Sequence, residues 1–250
     1  MDFESIEGRK RKENDLNHLP LKVDIKRKLL HLFPAGLIIF LWIFAVYIWG
    51  GVWNSNAYWG ISGLEFANFL IITVGFSGIF VFAALDYVRL SYIFDKHNLF
   101  YLIPSNVMNL LSKSMKEREF YEFTKPVAMV LALAPIYFLN FSIFVSVALI
   151  STVGDGAASI IGLKFGKFNF PKNSNKTITG YIAGFFTSFI VAFIGLTVFK
   201  SSFSINEVLF LSFIGALAFL IIDLANVNID DNILNPLLCG GLMAIFFYLL

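Results

Sequence analysis

A succession of apolar runs constrains this chain more than any other feature. They cover Leu29–Trp49, about Leu64–Leu85, Pro126–Leu139, Ser142–Leu163, Ile178–Phe199, Glu207–Ala225 and Ile233–Leu250. Most approach the roughly 20 residues that carry a helix across a bilayer. Inside lipid every backbone N–H and C=O must be satisfied within the segment, so the spans are helices. No alternating strand pattern points to a barrel. Only 14% of the 250 residues are charged, too few to clothe a soluble domain of this size. The predicted fold is therefore all-α: a polytopic helical membrane protein with about seven transmembrane helices. The third run is short but extendable into the turn at Asn140. Residues 1–24 read as a polar tail and 25–250 as a single transmembrane domain. The polar start does not resemble a cleaved signal peptide. One cysteine, Cys239, excludes a disulfide framework and a cysteine-based metal site.

Basic residues predict the orientation. Lys26, Arg27 and Lys28 precede the first span, and the following loop carries Trp and Tyr but no Lys or Arg. Arg89, Lys96, Lys113, Lys116, Arg118 and Lys125 follow the second span, and Lys164, Lys167, Lys172 and Lys176 follow the fourth. With seven spans the charges alternate, placing the N-terminus in the cytoplasm and the C-terminus on the opposite side. Acids contribute little to such topology. Yet Asp155, Asp223, Asp230 and Asp231 all map to the cytoplasmic ends.

Asp155 is the sharpest of these. In the stretch "STVGDGAASIIGLKFGK" it falls about two turns inside the fourth span, roughly 12 Å deep at ~1.5 Å per residue. An aspartate at the centre of a span costs about 2.5–3.5 kcal/mol on insertion scales, so such residues usually face a polar cavity and serve function. Gly154, Gly156, Ala157, Ala158 and Ser159 around it are small. They allow close approach by a ligand or by a neighbouring helix. The second reading is a packing seam, with Asp155 paired to a lysine of another helix.

The basic loop "KFGKFNFPKNSNKT" follows, and Lys176-Thr177 opens the fifth span. Backbone N–H groups with lysine point charges suit phosphates; they equally suit topology and anionic headgroups. "IDDNILNP" adds Asp230, Asp231 and Asn232, hard oxygen donors that suit Mg²⁺ rather than zinc. The adjacent aspartates point about 100° apart on a helix, so one site cannot take both without an irregular turn. An ordinary helix cap is the other reading of this stretch. His31, after "KRK", reads as an interfacial residue or a phosphate contact. Asp86 and Arg89 form an i,i+3 pair at a helix end, a common structural device. "KSMKEREFYEF" reads as an amphipathic interfacial helix, from which Glu119 or Glu122 could reach the site.

"RKLLH", "D-x-x-R", "VGDGAASIIGLKFGK", "NKTITG" and "DLANVNIDDNILNP" occur in the order seen in CTP-dependent lipid kinases. From about Lys26 onward the chain resembles this group, which comprises the dolichol kinases, phytol kinases and yeast-type diacylglycerol kinases. The glycine-aspartate segment with its lysine loop is shared with phosphatidate cytidylyltransferases. "IDDN…P" resembles the phytol and diacylglycerol kinase branch. The cytidylyltransferases' C-terminal stretch with a histidine amid glycines has no counterpart, since the last histidine is His97. One departure is Asp223, where phytol-kinase-like members often carry the longer Glu.

The resemblance implies transfer of the γ-phosphoryl group of CTP to a lipid alcohol: polyprenol or dolichol, a phytol-like isoprenol, or diacylglycerol. It implies Asp155, Asp223, Asp230 and Asp231 as catalytic, with Mg²⁺ on Asp155 and Asp231. Nucleotide contacts fall to Gly154, Gly156, Ser159, Gly162, Gly166, Lys167, Lys176, Thr177 and Asn232. Arg27, Lys28, His31, Asp86, Arg89 and Glu119 are further candidates. The expected partners are the bilayer, a membrane lipid alcohol and CTP, with no nucleic acid. Two other activities stay open: CTP:phosphatidate cytidylyltransfer, and a transporter or scramblase. The one-sided charge disfavours a through-path.

Overall fold

The computed structural model describes residues 35–95, 98–107, 124–171, 176–199, 203–225, 227 and 229–249. Among them the chain is helical, with a single isolated bridge between Asn169 and Thr177. Six helices are long and apolar enough to cross a membrane. We label the main helices α1 (Ala35–Val52), α2 (Gly63–Asp95), α3 (Lys125–Leu139), α4 (Phe141–Phe165), α5 (Ile178–Val198), α6 (Ile205–Ala225) and α7 (Asp231–Leu249). The protein is an all-α polytopic membrane protein.

Two boundaries differ from those expected. Helix α2 does not stop at Leu85 but runs 33 residues to Asp95. Its charged pair does not end it because the charges are satisfied in place. Asp86 Oδ1 accepts from Arg89 at 3.0 Å, and Asp86 Oδ2 accepts from the Thr124 N–H at 2.7 Å. Asp86 is 1% exposed and Arg89 5%, so this is a buried knot tying α2 to the start of α3. Helix α3 does not extend through Asn140. That residue is extended, with φ −162° and ψ 128°, and its side chain accepts from Ser142 and Ile143 N–H groups. It therefore ends α3 and caps α4. At 15 residues and ~1.5 Å each, α3 is shorter than the ~30 Å hydrocarbon core.

Helix α4 is the most enclosed of the six spans. It packs on α5 along a ladder of small residues. An added Cβ on Gly154 would run into Ser188 Oγ, and one on Gly180 would lie 2.8 Å from Ala158 O. One on Gly184 would meet Ala158 Cβ at 2.9 Å, and one on Gly195 would meet Ser146 Cα at 3.0 Å. Antiparallel helices held this close gain dispersion contacts where lipid supplies no hydrophobic drive. The helical repeat of α4 widens over Ile150–Gly154, immediately before Asp155. Such wide turns are often found at functional sites. Helix α7 packs on α3, α6 and the same wide turn, and α5 packs on α6.

Candidate functional site

Four elements bring charge to one end of this bundle. Asp155 follows the wide turn of α4 and is half-buried. Asp223 lies in the last turn of α6, and Asp231 opens α7. Lys176 precedes α5 and is fixed by its backbone: Lys176 O accepts from Phe170 N–H at 3.0 Å, and the Ile178 N–H donates to Phe168 O at 3.1 Å. The loop thus folds back on itself and presents one lysine to α6. Lys176 Nζ donates to Asp223 Oδ1 at 2.6 Å and lies 3.3 Å from the Asp223 carbonyl.

The pair does not stand alone. Asp231 is partly desolvated and lies within electrostatic reach of Lys176, Asp155, Asp223 and Asp230. At Lys176, burial works against the charge. The hydrogen bond and charge of Asp223, followed by Asp231, outweigh it and hold the ammonium above the ordinary lysine range. Asp155, Lys176, Asp223 and Asp231, distant in sequence, therefore form one electrostatic unit.

"IDDN" divides its labour. Asp230 Oδ1 accepts from the Asn232 N–H at 2.9 Å and from the Asn232 amide at 2.6 Å. Its carbonyl accepts from Ile233 and Leu234. Asp230 thus caps α7, and Asn232, expected as a nucleotide contact, has its amide turned onto that cap. Asp231 is left to face the other charges.

The glycines also divide. Gly154 faces Ser188, Gly162 faces Thr177 and Gly180, and Gly166 faces Thr177. The space expected for a ligand at these three is filled by α5 and its entry turn. Gly156 differs: nothing lies within 4 Å of a Cβ built there. Thr177, also expected at the nucleotide, is buried; its hydroxyl accepts from Gly180 N–H at 3.2 Å as the cap of α5. Ser159 is half-buried one turn beyond Asp155, and Lys167 is exposed. Asp86 and Arg89 belong to the α2–α3 knot. Arg27, Lys28, His31 and Glu119 lie outside the described residues.

Asn235 was not singled out from the sequence. It stands one turn after Asp231, is 4% exposed, and its buried Oδ1 accepts no hydrogen bond among the described residues. Its depth follows from the core. Met243 Sδ and Ile150 Cδ1 both lie within about 3 Å of a Cβ on Gly215. Eight residues toward the charged end, about 12 Å on each helix, bring Asn235 level with the Asp155–Ala158 turn. The available signal was its i+4 spacing from Asp231.

Among the described residues, no three His, Cys, Asp or Glu side chains form a ready metal cage. Mg²⁺ usually takes one or two carboxylates and completes its shell with phosphate oxygens and water. Asp155 and Asp231 are two carboxylates near enough for the charge of one to act on the other. Comparison with protein-family models, with curated proteins and with solved structures returned no match.

Proposed function

We propose that the protein is a CTP-dependent lipid kinase, phosphorylating a membrane lipid alcohol with its charged end in the cytoplasm. The observation that carries this reading is the pairing of Lys176 with Asp223, with Asp155 and Asp231 beside it, at one end of the bundle. Phosphoryl transfer asks the protein mainly for positioning and charge stabilisation. The resemblance in "VGDGAASIIGLKFGK" and "IDDNILNP" supports CTP as donor.

Each residue then has a task. Asp155 and Asp231 would hold Mg²⁺, whose chemistry is to neutralise the phosphate oxygens. Lys176 moves between Asp223 and a γ-phosphate oxygen. Asp223 orients the lipid hydroxyl and accepts its proton. The hydroxyl oxygen bonds to the γ-phosphorus, the bond from that phosphorus to the β–γ bridging oxygen breaks, and CDP departs. The open side of Gly156 gives the nucleotide access to the backbone of α4.

The test is purified protein in vesicles with γ-labelled CTP and a panel of diacylglycerol, dolichol, phytol and geranylgeraniol. Label appearing in one lipid phosphate supports the kinase. Pyrophosphate release with cytidine entering the lipid would replace it by cytidylyltransfer. Absence of transfer to every alcohol would end the reading.

A further inference from the structure

Apolar cavities open among the described helices. One, of about 200 Å³, lies between α1, α2 and α3, with Ile71 and Leu133 in its wall. Another, of about 380 Å³, lies between α5 and α6 and is lined by Phe170, Ile178, Ile182, Phe186, Leu220 and Leu224, with Tyr181 and Phe185. This second one borders the charged end. Ile178 lies two residues beyond Lys176, and Leu224 and Leu220 flank Asp223 within a turn. Ile178, Ile182 and Phe186 are exposed, so the groove opens sideways on the apolar belt. At its charged end the loop closes over it. The Tyr181 hydroxyl donates to Phe170 O at 2.7 Å and holds Phe170 against the groove.

We propose that this α5–α6 groove is the binding track of the acceptor lipid, holding one hydrocarbon chain and delivering its hydroxyl to Asp223. The inference rests on the kinase reading for the identity of the chain. An apolar lining facing the bilayer selects a hydrocarbon. The groove's end selects the headgroup. Lys176 occupies Asp223 Oδ1, and among the described residues none donates to Oδ2. A carboxylate oxygen in this position accepts an O–H. A lipid alcohol therefore fits the end of the groove. Lateral entry also spares the chain from crossing the aqueous face.

The experiment is photolabelling of the wild-type protein in vesicles with a long-chain alcohol carrying a mid-chain diazirine, followed by peptide mapping. Label on the α5 and α6 segments around Ile182 and Leu220 supports the track. Label concentrated on the α1–α3 cavity, or spread evenly over all spans, overturns it. Kinetics give a second readout. Ile182→Trp fills the groove and is expected to raise KM for the alcohol at least tenfold, with KM for CTP unchanged. Ile190→Trp, on the exposed face of α5 outside the groove, is expected to change neither. An active wild type with unlabelled α5–α6 and an unchanged Ile182→Trp KM would overturn the track and leave the kinase standing. Groove labelling in a protein that transfers no phosphate would support the track and remove the kinase.

Discussion

Asp155 and Asp231 carry the heaviest demand in the proposed chemistry, and their isosteric amides isolate it. Asp155→Asn keeps the volume and removes the charge. It is expected to lower phosphoryl transfer by about 100-fold or more while the protein elutes and melts as wild type. Full activity would take Asp155 out of the metal site. Asn235→Leu tests the neighbouring orphan. It removes an unsatisfied buried acceptor, so the melting temperature should hold or rise, while activity falls if that oxygen serves a ligand. Unchanged activity would make it a bystander. Lys176 gives a pH signature. Its folded-state value is raised, so its contribution is complete below the unfolded value of about 10.4 and is lost as pH rises through the folded one. Melting temperature should therefore drop above that point in the wild type, and Lys176→Met should lose this part of the drop. The acids and the lysine were legible because charge is rare in these surroundings. Asn235 was not, because an asparagine in an apolar run says nothing until its burial and empty acceptor are known.

Between elements, the same short stretch serves two purposes on two faces of one helix. Gly154, Ala158 and Gly162 recur every four residues and lie against α5, while Asp155 and Ser159 fall one position further round. The seam and the site are thus adjacent, and neither reading of the sequence excluded the other. The sequence could not assign them, because the partner of Gly154 is Ser188, far along the chain. Two alanine substitutions separate the roles. Gly180→Ala drives a Cβ to 2.8 Å from a backbone oxygen and should destabilise the protein by about 1–3 kcal/mol, read as a lower melting temperature. Gly156→Ala meets no atom within 4 Å and should melt as wild type or slightly higher. If the nucleotide uses that open side, its KM for CTP rises, and equal KM would place the nucleotide elsewhere. Helix α2 was misjudged for a related reason. Asp86 and Arg89 look like a helix end in sequence, but Asp86 accepts hydrogen bonds from Thr124, at the start of the next helix, and the pair stays buried within α2.

For the whole molecule, the proposal stands or falls on sidedness. CTP is held in the cytoplasm, so the end bearing Asp155, Lys176, Asp223 and Asp231 must face it. The lysines of the α4–α5 loop argue for that placement through their bias on insertion, an argument independent of any motif. The bare loop after α1, with exposed Trp53, Tyr58 and Trp59, suits the opposite interface. The chain is well suited to a direct measurement because its only cysteine, Cys239, is 0% exposed and gives a silent background. Asn169→Cys in the lysine loop and Ala57→Cys in the turn Asn56–Trp59 place one exposed thiol at each end. With right-side-out vesicles or intact cells, a membrane-impermeant maleimide should label Ala57→Cys and leave Asn169→Cys untouched until the membrane is opened. The reverse pattern would put the carboxylates away from the CTP pool. Labelling of both would mean that one expected crossing, most plainly the short α3, does not traverse the bilayer, and the α5–α6 groove would then no longer lead from lipid to cytoplasm.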